Sequence, residues 1–297
     1  MNNTAIAHIY GSSYIHTGKH AVGIYLDRSS GDAILIDSGA DEQAAREIDE
    51  ALEEEGYRIA AVLHTHGHRS SCGGDAYLLA HDPDLRIYAT ATSAARAHPP
   101  QSLPHLSGGA HSARASQAPL RVTDILPEGD AQVTVGDVNL RVIALPGHAP
   151  GMVGFQTPDD VLYCGDALFG ERVLRRQSLL LYASIEEARA TFRKLSQMAP
   201  KAYVLYHGGV LREISALINP HLERLNSLTK RFEDLISTQP ITLERLVQQT
   251  MQEHALDDSL EHYGLAMQIV QSHVAELLRM DRISLKVEQG ALHFASR

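Results

Sequence analysis

The sequence predicts an α/β fold followed by a small α+β unit at the carboxyl end. In residues 1–90, short aliphatic runs alternate with an amphipathic helix pattern, which is typical of a sheet covered by helices on its outer faces. From about residue 220 onward, helical periodicity replaces this alternation. The 297 residues are enough for one domain of about 200–250 residues and an appendage.

The amino-terminal part contains a hairpin, a helix and a further strand. Residues 21–26 and 33–36 alternate in the manner of paired strands, and the polar residues 29–32 close them. Residues 42–55 predict a helix, because their apolar side chains fall on one face. Residues 59–63 predict a buried strand. The sequence Thr-His-Gly-His-Arg-Ser-Ser-Cys-Gly-Gly follows it at residues 65–74.

The middle of the chain changes composition before strand patterns resume. Residues 94–119 are rich in Ala, Ser, Pro, Gly and His, which leaves two interpretations: a lid or interface loop, or a passive insertion. A capping box at 184–187 predicts the start of a helix that runs to about residue 198. Further strands are predicted at 121–126, 132–135, 139–144 and 202–206.

The carboxyl-terminal residues 219–297 are predicted as a separate module after a first domain of residues 1–218. Apolar residues fall on one helix face around 243–251 and again around 265–278, and residues 283–294 alternate around a turn. Two helices and a hairpin are typical of a winged-helix-like module. The alternative is a packing or dimerisation appendage that binds no nucleic acid, and the acidic composition favours it.

Composition and charge narrow the classes of function. Lys and Arg number 26 against 36 Asp and Glu, a formal net charge of −10, which disfavours charge-driven binding to nucleic acid or anionic lipid. No apolar run approaches the ~18 residues of a membrane span, and no signal peptide pattern is visible. Two cysteines do not make a disulfide framework. We therefore expect a soluble cytoplasmic protein, with a small-molecule substrate and a possible homodimer.

Four sequence motifs place metal-binding residue types directly after predicted strands. They contain His66 with His68, His148, Asp166, and His207. Glycine lies beside each of them, which lets the backbone turn sharply. Imidazole and carboxylate groups are among the ligands that zinc takes in proteins, at about 2.0–2.2 Å. The motifs therefore predict one metal centre built from several loops.

These motifs resemble those of the metallo-beta-lactamase superfamily, whose signature is Thr-His-x-His-x-Asp-His-x-Gly-Gly, over residues 5–215. The resemblance implies an αββα sandwich and metal-dependent hydrolysis. It also implies that His66, His68 and His148 hold the first metal ion. Asp166 then corresponds to the carboxylate that bridges two metal ions, and His207 to the last histidine, at the second site.

The chain departs from this signature at two positions. Ser70 and Ser71 stand where the family has its aspartate and its last loop histidine, and serine is a poor zinc ligand. We therefore expect one zinc ion per chain, with the second site weak or empty. As catalytic residues we predict Asp166 as general base and Ser70 as a group that orients water.

Three further residues of this region receive supporting roles. His64 is predicted to pack or to support the ligands, with direct ligation as the alternative. Cys72 is predicted to be a buried, inert thiol. Asp37 matches a family residue that supports the histidine loop by hydrogen bonding.

Three functions remain open from the sequence. The first is a hydrolase with a mononuclear or altered zinc site, acting on an ester, thioester, lactone or phosphodiester. The second is a catalytically impaired member that binds a ligand or dimerises. The third is iron-dependent oxidation of a sulfur compound, in which His66 or His68, His148 and Asp166 form a facial triad.

Overall fold

The fold is seen in a computed structural model, which describes residues 5–96 and 121–297. Most of the loop predicted at 94–119 lies outside the described residues. Strands in the described ranges are β1 Ile6–Tyr10, β2 Ser13–His16, β3 Gly23–Asp27, β4 Asp32–Ile36, β5 Arg58–Leu63, β6 Arg86–Thr90, β7 Asp124–Leu126, β8 Ala131–Val135, β9 Val138–Ala144, β10 Val153–Gln156, β11 Val161–Tyr163, β12 Ala202–Leu205, β13 Gly209–Leu211, β14 Ile283–Glu288 and β15 Ala291–Ser296. The helices there are α1 Glu42–Glu54, α2 Arg69–Cys72, α3 Asp75–His81, α4 Ala91–Arg96, α5 Glu171–Arg176, α6 Ile185–Ser196, α7 Ser215–Thr238, α8 Leu243–Glu253 and α9 Leu260–Arg279.

Two mixed sheets form the centre of the fold. The first has the order β1-β2-β3-β4-β5-β6-β7, and its strands from β4 to β7 run parallel. The second has the order β13-β12-β11-β10-β9-β8, with β11 and β12 as a parallel pair. Because parallel strands end at the same edge of a sheet, the loops after β4 and β5 are neighbours, and so are those after β11 and β12.

Helices cover the outer face of each sheet. On β4, Ile34 and Ile36 pack between the two sheets, whereas Ala33 and Leu35 pack against α1 on the other face, as the two-residue period of a strand requires. The outer face of the second sheet is covered by α6 and α7 in a further apolar cluster that includes Phe192. The layers are therefore α, β, β and α, and the predicted sandwich is confirmed.

Several short elements were not predicted. Strands β1 and β2 precede the predicted hairpin, and helices α2 and α3 directly follow the histidine loop. Helix α2 has four residues and α3 has seven, which is too short for a hydrophobic period to be recognised. The strand predicted at 121–126 is shorter, since β7 begins at Asp124.

Helix α7 begins earlier than the helical region that was predicted near Pro220. It starts at Ser215, and Pro220 lies inside it. Proline there removes one backbone hydrogen bond, while Leu217 and Leu225 of the same helix are buried in the core. The predicted domain boundary after residue 218 falls within this helix, and the division into two domains stays a prediction.

The carboxyl-terminal residues form an apolar cluster of their own. It joins the second half of α7 to α8, α9 and the β14–β15 hairpin, with Phe232, Val270 and Phe294 among its buried side chains. The predicted helices and hairpin are thus present, whereas a winged-helix relationship and a homodimer stay predictions. Among the described helices, none combines the length and apolar character needed to cross a membrane.

Candidate metal centre

The three predicted ligands of the first metal site come together in the structure. His66 and His68 lie in the loop after β5, and His148 lies between β9 and β10. Each offers a nitrogen atom, and these three atoms lie within 4.8 Å of one another. His66 is fully buried and His148 is 5 % exposed, so the cluster is screened from water on most sides.

The orientation of His148 is fixed by a main-chain carbonyl. Its Nδ1–H donates to Leu181 O at 2.9 Å. The other ring nitrogen, Nε2, therefore carries the lone pair, and it lies 3.0 Å from His68 Nδ1. A hydrogen bond of this kind on the outer nitrogen sets the tautomer in which the inner nitrogen can bind a metal ion.

His66 is held by a short chain of polar groups that ends at Asp37. The Thr65 hydroxyl lies 2.9 Å from Asp37 Oδ2 and 3.0 Å from His66 Nδ1, and the Thr65 amide donates to Asp37 Oδ1 at 2.9 Å. The hydroxyl donates to the carboxylate and so accepts from His66 Nδ1–H, which leaves His66 Nε2 free to bind a metal ion. Asp37 supports the histidine loop, as the resemblance implies.

This arrangement fits a zinc ion. Bonds of about 2.0–2.1 Å at tetrahedral angles place pairs of ligand nitrogens about 3.3–3.4 Å apart, which small side-chain movements reach from the observed positions. Asp166 Oδ2 lies 3.7 Å from His148 Nε2 and 3.8 Å from His66 Nε2. The three histidines therefore surround one position, and an oxygen of Asp166 lies close to two of them.

The other oxygen of Asp166 pairs with His207. His207 Nδ1 donates to Asp166 Oδ1 at 2.5 Å, and Asp166 is almost completely buried. Burial favours the neutral acid, but the hydrogen bond from His207 and the neighbouring imidazoles outweigh it and hold the pKa of Asp166 below its usual range. Burial likewise opposes charging of His207, yet its bond to Asp166 raises its pKa. Asp166 thus faces both the histidine cluster and His207.

The two serines stand where the resemblance implies the remaining ligands of a second site. Ser71 is buried, and its hydroxyl lies 3.4 Å from both ring nitrogens of His66. The Ser70 carbonyl accepts a hydrogen bond from the Tyr206 hydroxyl. Because hydroxyl groups are poor zinc ligands, Asp166 and His207 stay the side chains predicted to bind metal in that half of the site.

Two glycines bring the loops close to one another. A Cβ atom at Gly73 would lie 2.0 Å from Ala40 O, so only glycine lets the end of the histidine loop pack on the turn after β4. At Gly165, where φ is +53°, a Cβ atom would lie 2.6 Å from Thr65 Oγ1. The Asp166 turn therefore lies directly against the histidine loop.

His64 and Cys72 lie beside the cluster without joining it. His64 is fully buried, with Nε2 3.0 Å from Asp75 Oδ2 and Nδ1 3.6 Å from Asp37 Oδ1. Burial alone lowers the pKa of His64, but these two carboxylates outweigh it and raise the pKa. The Cys72 thiol donates to His68 O at 3.0 Å, and burial raises its pKa, which keeps it protonated.

Some groups that contribute to the site cannot be identified from the sequence. Leu181 acts through its carbonyl oxygen, which no side-chain pattern reveals. His20 stacks on Tyr206 with ring centroids 4.9 Å apart and lies edge-on to His207 at 4.7 Å. His20 precedes β3 and belongs to no motif, so its place beside His207 follows from the tertiary fold alone.

The fold and the histidine cluster together define an α/β sandwich protein with a candidate metal site at the ends of its strands. The sequence profile of the Metallo-beta-lactamase superfamily matches residues 18–207. The chain belongs to this superfamily.

Curated relatives and solved structures agree with that assignment. The hydroxyacylglutathione hydrolase of Erwinia tasmaniensis is 29% identical over 173 residues, which are 58% of this chain and 55% of that protein. The enzyme of the same name from Yersinia pestis is 27% identical over 148 residues, 50% of this chain and 47% of its own length. The chain thus spans about half the length of these curated relatives.

The structural neighbours cover more of the chain. A beta-lactamase domain protein from Burkholderia ambifaria superposes with a TM-score of 0.75 and 15% identity, over 100% of this chain and 96% of that one. A metallo-beta-lactamase family protein from Thermus thermophilus gives a TM-score of 0.70 and 18% identity, over 99% and 97% of the two chains. At these identities the likeness concerns the fold.

Proposed function

We propose that the protein is a metal-dependent hydrolase that uses one metal ion, zinc, held by His66, His68 and His148. The observation that carries this proposal is the convergence of three imidazole nitrogens within 4.8 Å. Three protein ligands with an open fourth position are typical of a catalytic zinc rather than a structural one. Bound there, zinc polarises a carbonyl oxygen and lowers the pKa of its water to about 7.

The protein residues around that position orient the ligands and accept a proton. Leu181 O and the Thr65 hydroxyl hold His148 and His66 in the tautomers that expose a lone pair. Asp166 and His207 form the candidate proton acceptor, because a carboxylate that receives Nδ1–H leaves the opposite nitrogen of the imidazole as a base. That Ser70 orients a water molecule stays a prediction. The Tyr206 hydroxyl bonds to the carbonyl oxygen of Ser70 and so holds its main chain rather than its side chain.

We propose an acyl thioester as the substrate class. The curated relatives are named hydroxyacylglutathione hydrolases, and a hydroxyacylglutathione is a thioester. The net charge of −10 opposes the alternative of a nucleic acid phosphodiester, because binding to nucleic acid depends on neutralising its phosphates.

A second candidate function is ligand binding without catalysis. Ser70 and Ser71 favour it, since neither hydroxyl accepts a proton from water at neutral pH or binds a second zinc well. Iron-dependent oxidation of a sulfur compound is the third candidate, and it requires iron at the same histidines.

Metal content and thioester hydrolysis, measured on the same preparation, test the proposal. The chain is purified without added metal, its metal content is measured per chain, and S-lactoylglutathione is compared with an oxygen ester of the same acyl group. One zinc per chain and hydrolysis of the thioester support the proposal. One zinc without hydrolysis of either ester favours the binding protein, bound iron favours the oxidation, and no metal with stability unaffected by chelator contradicts a metal centre.

A further inference from the structure

A buried histidine on α7 lies next to the candidate metal centre and outside the residues that match the family. His221 is completely buried. Its Nδ1–H donates to Leu217 O at 2.7 Å, and its Nε2 accepts from the Phe169 amide at 3.0 Å. Burial lowers the pKa of His221 to about 4, so at neutral pH its Nε2 keeps the lone pair that this acceptor role needs.

The amide that His221 accepts from belongs to the turn that carries Asp166. Phe169 follows Asp166 by three residues, and the next amide, of Gly170, donates to His207 O at 3.0 Å. The Phe169 ring lies edge-on to His148, with centroids 5.7 Å apart, and 6.0 Å from the His207 ring. Phe169 thus touches both halves of the site, and His221 fixes its main chain.

A second residue of α7, Arg224, holds the end of α5, which follows the Asp166 turn in the chain. The Arg224 guanidinium donates to Leu174 O and Gln177 O at the end of α5. The chain then leads from Gln177 to Leu181, whose carbonyl orients His148. Helix α7 therefore contacts both segments on which the candidate metal ligands depend, and its second half is packed in the carboxyl-terminal cluster.

We propose that His221 is a positioning residue of the metal centre, which holds the Phe169 amide and through it the Asp166 turn in the geometry that binds the metal ion. This inference rests on the proposed function, because it presupposes a metal ion at the three histidines. It makes α7 an element outside the residues that match the family which nevertheless holds the Asp166 turn.

The test measures metal binding rather than turnover. Co²⁺ is titrated into metal-free protein against a competing chelator, and its visible absorption spectrum is recorded for the wild type, His221→Leu and His221→Gln. His221→Leu removes the acceptor, whereas a glutamine side chain presents an oxygen to the Phe169 amide. Loss of an outer hydrogen-bond partner typically weakens metal binding ~10–100-fold. We expect that loss, with a changed spectrum, in His221→Leu, and wild-type behaviour in His221→Gln.

His273→Leu is the matched control. His273 is equally buried and also bonds to α7, through Thr229 Oγ1 at 2.7 Å, but it lies in the carboxyl-terminal cluster. Its replacement is expected to change the free energy of unfolding and to leave the Co²⁺ affinity within about twofold of wild type. Equal losses of affinity in both leucine variants would reduce His221 to a general packing residue and overturn the inference.

Two further outcomes are decisive. A folded His221→Leu protein with the affinity and spectrum of wild type contradicts the positioning role and leaves the proposed function intact. A wild-type protein that binds no Co²⁺ removes both. Should His221→Leu fail to fold, His221→Asn replaces it, because the shorter amide cannot reach the Phe169 amide; Asn must then lose affinity where Gln keeps it.

Discussion

The two halves of the candidate metal centre differ in how completely they are built. In the first half, His66 and His148 each have a hydrogen-bond partner that orients the ring, in Thr65 and in Leu181 O. In the second half, Asp166 and His207 bond to one another, and the other two positions carry serine. The loop that bears the two serines is nevertheless firmly anchored.

This loop is held by contacts to its main chain, and metal-binding side chains are not needed to hold it. Gly73 packs on Ala40 O, Ser38 N donates to Ser71 O at 2.8 Å, and Tyr206 bonds to Ser70 O. None of these contacts requires an aspartate or a histidine at positions 70 and 71. We therefore expect the loop to keep its conformation whichever side chains stand at positions 70 and 71.

The largest effect is expected from His148→Ala, which breaks the complete half. The change removes one of three protein ligands, so zinc binding should weaken by more than the ~10–100-fold typical of losing an outer hydrogen-bond partner. Zinc at a hundred times its dissociation constant should raise the free energy of unfolding of the wild type by about 2.7 kcal/mol. The variant should show no such increase in urea unfolding with and without zinc.

His81→Ala serves as the control for that experiment, because His81 is exposed and bonds to Tyr77 O in α3. It should retain both zinc binding and the stabilisation by zinc. If His148→Ala still gains stability from zinc as the wild type does, the three-histidine site is wrong.

The next largest effect is expected from rebuilding the incomplete half with Ser70→Asp and Ser71→His. Four ligand-type side chains would then face the second position, so the metal content should rise from one to two per chain. Restoring a positioned proton-transfer group is worth about 10²–10⁴ in rate, and thioester hydrolysis should increase accordingly.

A variant with Ser70→Asn and Ser71→Gln controls for size, because these amides resemble the new ligands without their charge or basicity. It should bind one metal ion, as we expect of the wild type. Two zinc ions in the wild type itself would show that the serines do not disable the second half, and the contrast between the halves would disappear.

The sequence predicted the ligand-bearing loops better than the groups that orient the ligands. Apolar runs followed by histidine or aspartate locate the ends of β5, β11 and β12, because burial of a strand and polarity of the loop after it are both visible in sequence. Orientation depends on Leu181 O and on His221, and these contacts exist only after distant segments have packed. The helical region was predicted to begin near Pro220, but α7 begins at Ser215. Packing of its buried face outweighs the hydrogen bond that Pro220 removes from the helix.

A smaller effect is expected from Thr65→Val, which perturbs the complete half without removing a ligand. Valine keeps the shape of threonine but breaks the chain from Asp37 to His66 Nδ1. Metal affinity should fall about tenfold, at the lower end of the range for outer hydrogen-bond partners. Asp37 still receives the amide of residue 65, so the protein should fold, and Thr65→Ser should restore the affinity in the same Co²⁺ titration.

The smallest effect is expected from Tyr206→Phe, which removes one hydroxyl from beneath the incomplete half. The hydroxyl donates to Ser70 O, and loss of a neutral hydrogen bond typically costs about 0.5–1.5 kcal/mol. The free energy of urea unfolding should fall by that amount, because the phenylalanine ring preserves the packing of this buried side chain. Co²⁺ affinity at the three histidines should stay within about twofold, since the Tyr206 hydroxyl bonds to none of the groups that orient them. A loss of affinity as large as that of Thr65→Val would mean that the serine segment helps to shape the three-histidine site, and that the two halves are not independent.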